Sequence, residues 1–327
     1  MSPGIMANTT PAPVPHCGVA LPMIGRATSR LGFGTGGLLR IGSARGRQNV
    51  LAAALASGIT HFDTAPLYGF GEAERALGIF LPGRRSLVTL TTKFGLQASP
   101  LAARLAVFQS AARRAVKLFP ALRRAAVRNA GVLATPPGFS IPAASASLEK
   151  SLRALRTDHV DFFLAHQASL AALPDEDLMG WLEDTRRAGK ILAFGVATDF
   201  EWLLPVLRQQ PRLARVVQFD ADLTRGDIAT VVGNPGERLL ITYGFVGRAI
   251  AVCRERLAGR RDSTLYRADD TELGGLLLRA ALLANPHGVV LMQSRSTARI
   301  EHNARAVTSG PDDERARELV ELLGAKP

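Results

Sequence analysis

Four side chains able to move a proton sit at the ends of three hydrophobic runs: Asp63 and Tyr68 in HFDTAPLYG, Lys93 in VTLTTKFG, and His166 in VDFFLAHQ. A carboxylate, a phenol, an ammonium and an imidazole are the groups that reduction of a carbonyl, or oxidation of an alcohol, recruits around the reacting oxygen. A free phenol, with a pKa near ~10, is a poor acid at neutral pH. An ammonium within hydrogen-bond distance favours the phenolate and draws that pKa down. Lys93 can supply the ammonium, Asp63 can hold it charged and oriented, and His166 can donate a hydrogen bond where charge develops on a substrate oxygen. Taken singly, each residue has a plainer reading. Tyr68 would be a half-buried turn tyrosine, Asp63 a helix cap, Lys93 a solvated strand end and His166 a satisfied structural histidine. Those plain readings do not account for all four lying at strand ends together.

The elements that must position them alternate regularly. Strands are expected at 29–35, 59–64, 86–93, 159–166, 191–198, 215–220, 239–245 and 288–294. These are near-continuous apolar runs, as in strands buried on both faces of a parallel sheet. Between them lie amphipathic helical segments. ARGRQNVLAAALASG closes with Gly58 at a C′ position, SASLEKSLRALR offers Ser145 or Ser147 as its cap, and PDEDLMGWLEDTRRAGK opens with acids and closes with bases, matching the helix dipole. Eight strand–helix repeats predict an α/β fold, a single (β/α)8 TIM barrel, with its chemistry at the carboxyl ends of the strands. VALPMIGRATSR reads as an N-terminal hairpin closing the barrel's other end. Residues 1–18 are expected to be a disordered leader and 19–327 the barrel. Residues 96–140 read as a basic helical insertion after strand 3, suited to a lid or a solvated excursion.

Composition narrows the function classes. The chain has 327 residues, 47% hydrophobic and 21% charged, so a sizeable core is expected and global disorder is not. Two cysteines, Cys17 and Cys253, make neither a disulfide framework nor a four-ligand metal site, and no metal is expected. The N-terminus lacks the basic and apolar regions of a signal peptide, and no apolar run is long enough for a membrane span, so a cytoplasmic location is expected. Of the net charge of +12, seven units come from Arg104, Arg113, Arg114, Lys117, Arg123, Arg124 and Arg128 in the insertion, which has no acidic residue. That excess admits an anionic cofactor, a nucleic acid or an anionic membrane surface as partner. With few aromatic residues in the insertion, Phe108 and Phe119 among them, nucleic acid is not expected.

The order and spacing of FDTAPLYG with GEAERALG, TTKFG, SLEKSLRALRTDHVDFFLAHQ, GKILAFGVAT and QSRSTARIEHN resemble the aldo-keto reductase superfamily, from about residue 29 to 306. LGFGTGG and APLYGFGEAERALG look closest to the family's bacterial aldose dehydrogenases, of the fucose or galactose type. The resemblance implies that Asp63, Tyr68, Lys93 and His166 are the catalytic four, and that a nicotinamide cofactor supplies the hydride. It also implies that Tyr243 stacks on the nicotinamide ring and that Gln218 binds its carboxamide. Where the family has Ser-Asn after strand five, this chain has Ala197 and Thr198, and Thr198 can donate a single hydrogen bond.

For the adenosine end, the helix N-terminus after strand eight is a ready anion site, read from Gln293, Ser294, Arg295, Ser296, Arg299 and Asn303. By resemblance, Ser294 and Arg299 grip a 2′-phosphate and Asn303 contacts adenine; Gln293 stands where a lysine is common and His302 where a glutamate is. NADP is therefore expected ahead of NAD. Gly34, Thr35 and Gly36 at the end of strand one can let the backbone approach the cofactor. The expected activity is NAD(P)-dependent interconversion of a carbonyl and an alcohol in an aldehyde, ketone or aldose, with a small carbonyl compound or sugar as partner. The alternatives are a nicotinamide-binding regulatory protein on the same fold, like the family's channel subunits, and a polymer-binding role for the insertion. The sequence does not fix the substrate or the oligomeric state.

Overall fold

The computed structural model describes residues 18–98, 134–135, 138–223, 225–231, 238–308 and 313–323. An antiparallel hairpin, β1 (Gly18–Leu21) and β2 (Arg26–Ser29), precedes the barrel. The barrel strands are β3 (Leu31–Gly34), β4 (His61–Asp63), β5 (Thr89–Phe94), β8 (Val160–His166), β9 (Ile191–Ala197), β10 (Val216–Asp220), β11 (Leu239–Tyr243) and β12 (Val289–Met292). They close in chain order, β12 pairing with β3, and every pairing within the barrel is parallel. The eight expected strands and the N-terminal hairpin are all present. The short β6 (Gln97–Ala98) and β7 (Ala134–Thr135) pair antiparallel and bring the two ends of the basic insertion together. The rest of that insertion, and the leader, lie outside the described residues.

The helices are α1 (Ala44–Ala56), α2 (Glu72–Phe80), α3 (Ile141–Leu155), α4 (Glu176–Arg187), α5 (Phe200–Gln209), α6 (Asp227–Val231), α7 (Phe245–Leu257), α8 (Asp270–Ala284), α9 (Thr297–Thr308) and α10 (Asp313–Leu322). Ser43 caps α1 through the amide of Gly46, and Gly58 follows its end with φ of +80°. Asp175 caps α4 through the amide of Leu178, with acids in its first turn and arginines in its last. One expectation is corrected. Neither Ser145 nor Ser147 caps α3; the helix starts earlier, with the Ser140 side chain accepting from the amide of Ala143. Pro142 in the first turn has no N–H to satisfy, so the helix extends back to it at no hydrogen-bond cost.

The pleat divides each strand between two cores. On β8, Phe162 and Leu164 point into the barrel, while Phe163 and Ala165 pack under the helices. On β9, Ala193 and Ala197 face in, and Phe194 and Val196 face out. Because the side-chain period of a strand is two, the same parity carried to the strand ends turns Asp63, Lys93, His166, Gln218 and Tyr243 inward. The opposite end is plugged by Val19 and Leu21 of the hairpin, which join the interior cluster. Asp161, fully buried at the start of β8, accepts from Arg26 at 2.6 Å, from Arg85 at 2.8 Å and from the Leu90 amide at 2.9 Å. Its charge is thus paired and its lone pairs are occupied, as a buried carboxylate requires. Among the described residues, no helix is long and apolar enough to cross a membrane, and no cluster of His, Cys, Asp and Glu is arranged to hold a metal.

Candidate active site

At the carboxyl end of the barrel a cavity of about 340 Å³ opens over Asp63, Tyr68, Lys93 and His166. Lys93 is the deepest group. Its ammonium donates to Asp63 Oδ1 at 2.9 Å, Asp63 Oδ2 at 2.8 Å and the Thr64 carbonyl at 2.8 Å, which accounts for all three of its hydrogens. Burial alone would lower its pKa, but Asp63 and then Tyr68 more than offset that, and the ammonium is held above the usual lysine value. Asp63 Oδ2 also accepts from Gln218 Nε2 at 2.8 Å. A carboxylate can only accept, so this contact fixes which end of the Gln218 amide faces it. The Gln218 oxygen is then left buried and without a partner, on the wall of the same cavity.

Tyr68 lies on the turn between β4 and α2. Gly69 and Phe70 follow it with φ of +58° and +60°, and Gly71 with φ of +90°. A side chain at Gly69 would run into Leu39, so only glycine fits there. This left-handed turn brings the Tyr68 ring over the Lys93 ammonium, 5.0 Å from the ring centre. One expectation is reversed here. The Tyr68 pKa is raised, not lowered: burial of the phenol pushes it up by more than Lys93 pulls it down. The ammonium lies beside the phenol ring, but in the protein alone its charge is already shared with Asp63 and desolvation of the phenolate dominates.

His166 packs edge-on to Tyr68, with ring centres 6.3 Å apart and planes at 84°. Burial, aided by the nearby Lys93 charge, lowers its pKa to about 3. The ring is therefore neutral at physiological pH and can donate one N–H; its Nδ1 is buried with no partner. A weak acid on a charged platform, a neutral donor beside it and an open space above is an arrangement able to bind an oxygen and hand it a proton.

The remaining expected residues divide. Gly34, Gly36, Gln218, Tyr243 and Gln293 line the cavity. A Cβ at Gly36 would come within 3.7 Å of Gln293 Oε1 and 3.8 Å of the Tyr68 ring, so the absent side chain leaves room for a flat group. Thr35 and Thr198 turn away from it. Thr35 sends both its amide (2.9 Å) and its hydroxyl (3.0 Å) to the Asp63 carbonyl. Thr198 donates its hydroxyl to the Ala168 carbonyl at 2.6 Å. Each hydroxyl has one proton and spends it on backbone, so these threonines brace the strand ends. Ser294, Arg295 and Arg299 lie outside the cavity around the start of α9, and Asn303 near its middle, with Arg295 and Arg299 exposed. Ser294 Oγ accepts from the Ser296 amide at 3.1 Å, and Ser296 Oγ from the Arg299 amide at 3.3 Å, which orders the turn into the helix. Ala197 also lines the cavity, as do Gln167, Gly244, Leu291 and Met292, which carry no separate signal in the sequence beyond Gln167 directly following His166 in the LAHQ run.

Comparison with known proteins gives the same direction. Over 179 residues the chain is 30% identical to the aldo-keto reductase YhdN of Bacillus subtilis, covering 53% of this chain and 44% of that protein. Over 164 residues it is 30% identical to a 6-dehydroglucose reductase of Agrobacterium fabrum, covering 49% and 46%. The matched region thus spans less than half the length of these curated relatives. The structure of an aldo-keto reductase from Klebsiella pneumoniae in complex with NADPH superposes with a TM-score of 0.59 at 21% identity, covering 92% of this chain and 93% of that one, a likeness of fold. The model of the aldo/keto reductase family matches residues 30–204, more than half of the chain and the stretch that carries all four strand-end groups; the chain belongs to that family.

Proposed function

We propose that this protein is an NAD(P)-dependent oxidoreductase that interconverts a carbonyl and an alcohol, with Tyr68 as the proton donor and acceptor and NADP as the preferred cofactor. The observation that carries this reading is the Lys93 ammonium, chelated by both oxygens of Asp63 and lying under the Tyr68 ring, beside a neutral His166. A cavity that only bound a nucleotide would have no use for a buried charge held under a phenol.

The residues present fit a nicotinamide. The unpartnered Gln218 oxygen is a buried acceptor without a function in the protein alone, Tyr243 offers a half-buried aromatic face, and Gly34 and Gly36 leave their side of the cavity flat. Gly244, at the cavity wall, leads directly into α7, whose free N-terminal amides suit a diphosphate. Arg299, exposed one turn into α9, can offer a bidentate fork to a 2′-phosphate. When bound, the reduced nicotinamide supplies the hydride. The chain supplies the rest. His166 and the Tyr68 hydroxyl hold the substrate oxygen; as negative charge builds there, Tyr68 passes its proton to it. The resulting phenolate is stabilised by Lys93, whose own charge is anchored by Asp63. In the reverse direction the Tyr68 oxygen takes the alcohol's proton. The raised Tyr68 pKa keeps the phenol protonated before substrate binds, which suits reduction.

Aldehydes, ketones and aldoses all present the required C–O centre, and the sugar reductase among the relatives supports testing aldoses first. We propose residues 19–327 as one catalytic unit. The test is activity of the purified chain on a carbonyl and aldose panel with NADPH and NADH, repeated with Tyr68→Phe. Loss of about 10²–10⁴-fold in turnover, with cofactor binding retained, is expected. Full activity in Tyr68→Phe would remove Tyr68 from the proton-transfer role.

A further inference from the structure

We infer that Gln167 is a cofactor-binding residue that donates its side-chain amide to the carboxamide oxygen of the nicotinamide, while Gln218 accepts from the carboxamide nitrogen. This rests on the nicotinamide reading of the cavity and adds the group that completes it. A primary carboxamide has a donor end and an acceptor end, and a buried site must meet both. Gln218 can meet only the donor end. Its own nitrogen is committed to Asp63 and its oxygen alone is free. The acceptor end therefore needs an N–H or O–H from elsewhere on the wall. Ala197 has none to give, and the Thr198 hydroxyl is spent on the Ala168 carbonyl.

Gln167 is placed to supply it. In the strand register Ala197 pairs with His166, the residue before Gln167, on one side and with Gln218 on the other. Two strand spacings, about 9–10 Å, are enough for a planar amide with a hydrogen bond at each end, which spans about 8 Å. The backbone at Gln167 holds the side chain at this mouth. Its amide donates to the Ala197 carbonyl at 2.7 Å, and its φ of +59° is a left-handed conformation that non-glycine residues seldom adopt. Backbone strain of this kind clusters at active sites. The side chain lines the cavity, and its Nε2 makes one long contact of 3.4 Å to Asp199 Oδ1. That carboxylate orients the nitrogen rather than the oxygen toward its side, and leaves the second amide hydrogen unspent.

The test compares binding of NADPH with that of its thionicotinamide analogue, whose sulfur is a weak acceptor, by calorimetric titration of the full chain. The wild type is expected to favour NADPH. Gln167→Gly, chosen because glycine tolerates the left-handed backbone, should weaken NADPH binding by about five- to tenfold and reduce the preference over the thio analogue to within about twofold. Gln167→Glu keeps the length but has no N–H, and should lose at least as much. If Gln167→Gly binds NADPH within twofold of wild type and keeps the preference, the inference is overturned while the nicotinamide reading stands. If wild type binds neither NADPH nor NADH, the nicotinamide reading itself fails and takes the inference with it.

Discussion

Replacing Asp63 by Asn removes one charge from a pair that has almost no contact with water. Lys93 is 1% exposed and Asp63 2%. In the variant one amide oxygen can still accept from the ammonium, but the other acceptor, now at 2.9 or 2.8 Å from Lys93, becomes an NH2 donor, and the ammonium has no opposite charge beside it. Breaking a buried ion pair from one side costs about 3–5 kcal/mol, because the surviving charge stays desolvated. Against a typical total of about 5–15 kcal/mol this is a large loss. Lys93→Met should cost a similar amount, leaving the Asp63 carboxylate with Gln218 alone. Asp63→Asn together with Lys93→Met leaves no buried charge, so the double variant should be less destabilised than the sum of the singles by at least about 2 kcal/mol, while remaining inactive. The sign of the pH response follows from the lysine. In wild type its folded pKa is raised, so its contribution is full below the unfolded value and is lost only as pH rises through the folded one. Without Asp63, burial depresses the folded pKa below the unfolded value. Stability is then present at high pH and lost as pH falls, so the single variant should recover between neutral pH and pH 9. Urea unfolding of the four proteins at both pH values is the assay. Additive losses with no recovery on raising pH would refute a buried, mutually dependent pair.

Two further outcomes follow from groups buried in the barrel. His166, whose pKa is lowered to about 3, takes up its proton on unfolding but not in the fold below its ordinary pKa; stability is present above about pH 6.5 and falls as pH drops toward 3. His166→Gln should therefore flatten the acid limb of stability by about 1.4 kcal/mol per pH unit between pH 6 and 4, measured by denaturant titration at each pH. Asp161→Asn, at the opposite end of the barrel from the cavity, leaves Arg26 and Arg85 facing each other across a neutral amide. It should cost about 3 kcal/mol of stability with kcat and KM on any accepted substrate unchanged within twofold, a split read by parallel unfolding and steady-state assays.

Much of this protein can be read from one dimension. Eight apolar runs separated by capped helical segments specify a barrel, since strands buried on both faces leave a pattern in hydrophobicity alone. The period of two then commits Asp63, Lys93, His166 and Gln218 to the interior without further information. Residue type and position at a strand end identified the chemistry, because a lysine or aspartate inside a barrel is too costly to be incidental. The direction of the Tyr68 pKa, the turning of Thr35 and Thr198 toward backbone carbonyls, the start of α3 at Ser140 and the conformation of Gln167 were decided only in three dimensions. Apart from the α3 cap, which is local, each depends on contacts far away in the chain: the carbonyl of Asp63 for Thr35, of Ala168 for Thr198, of Ala197 for Gln167, and the depth of burial for Tyr68. A hydroxyl or an amide carries the same letters whichever neighbour it chooses, and that choice is made by the packing of strands that meet only when the barrel closes.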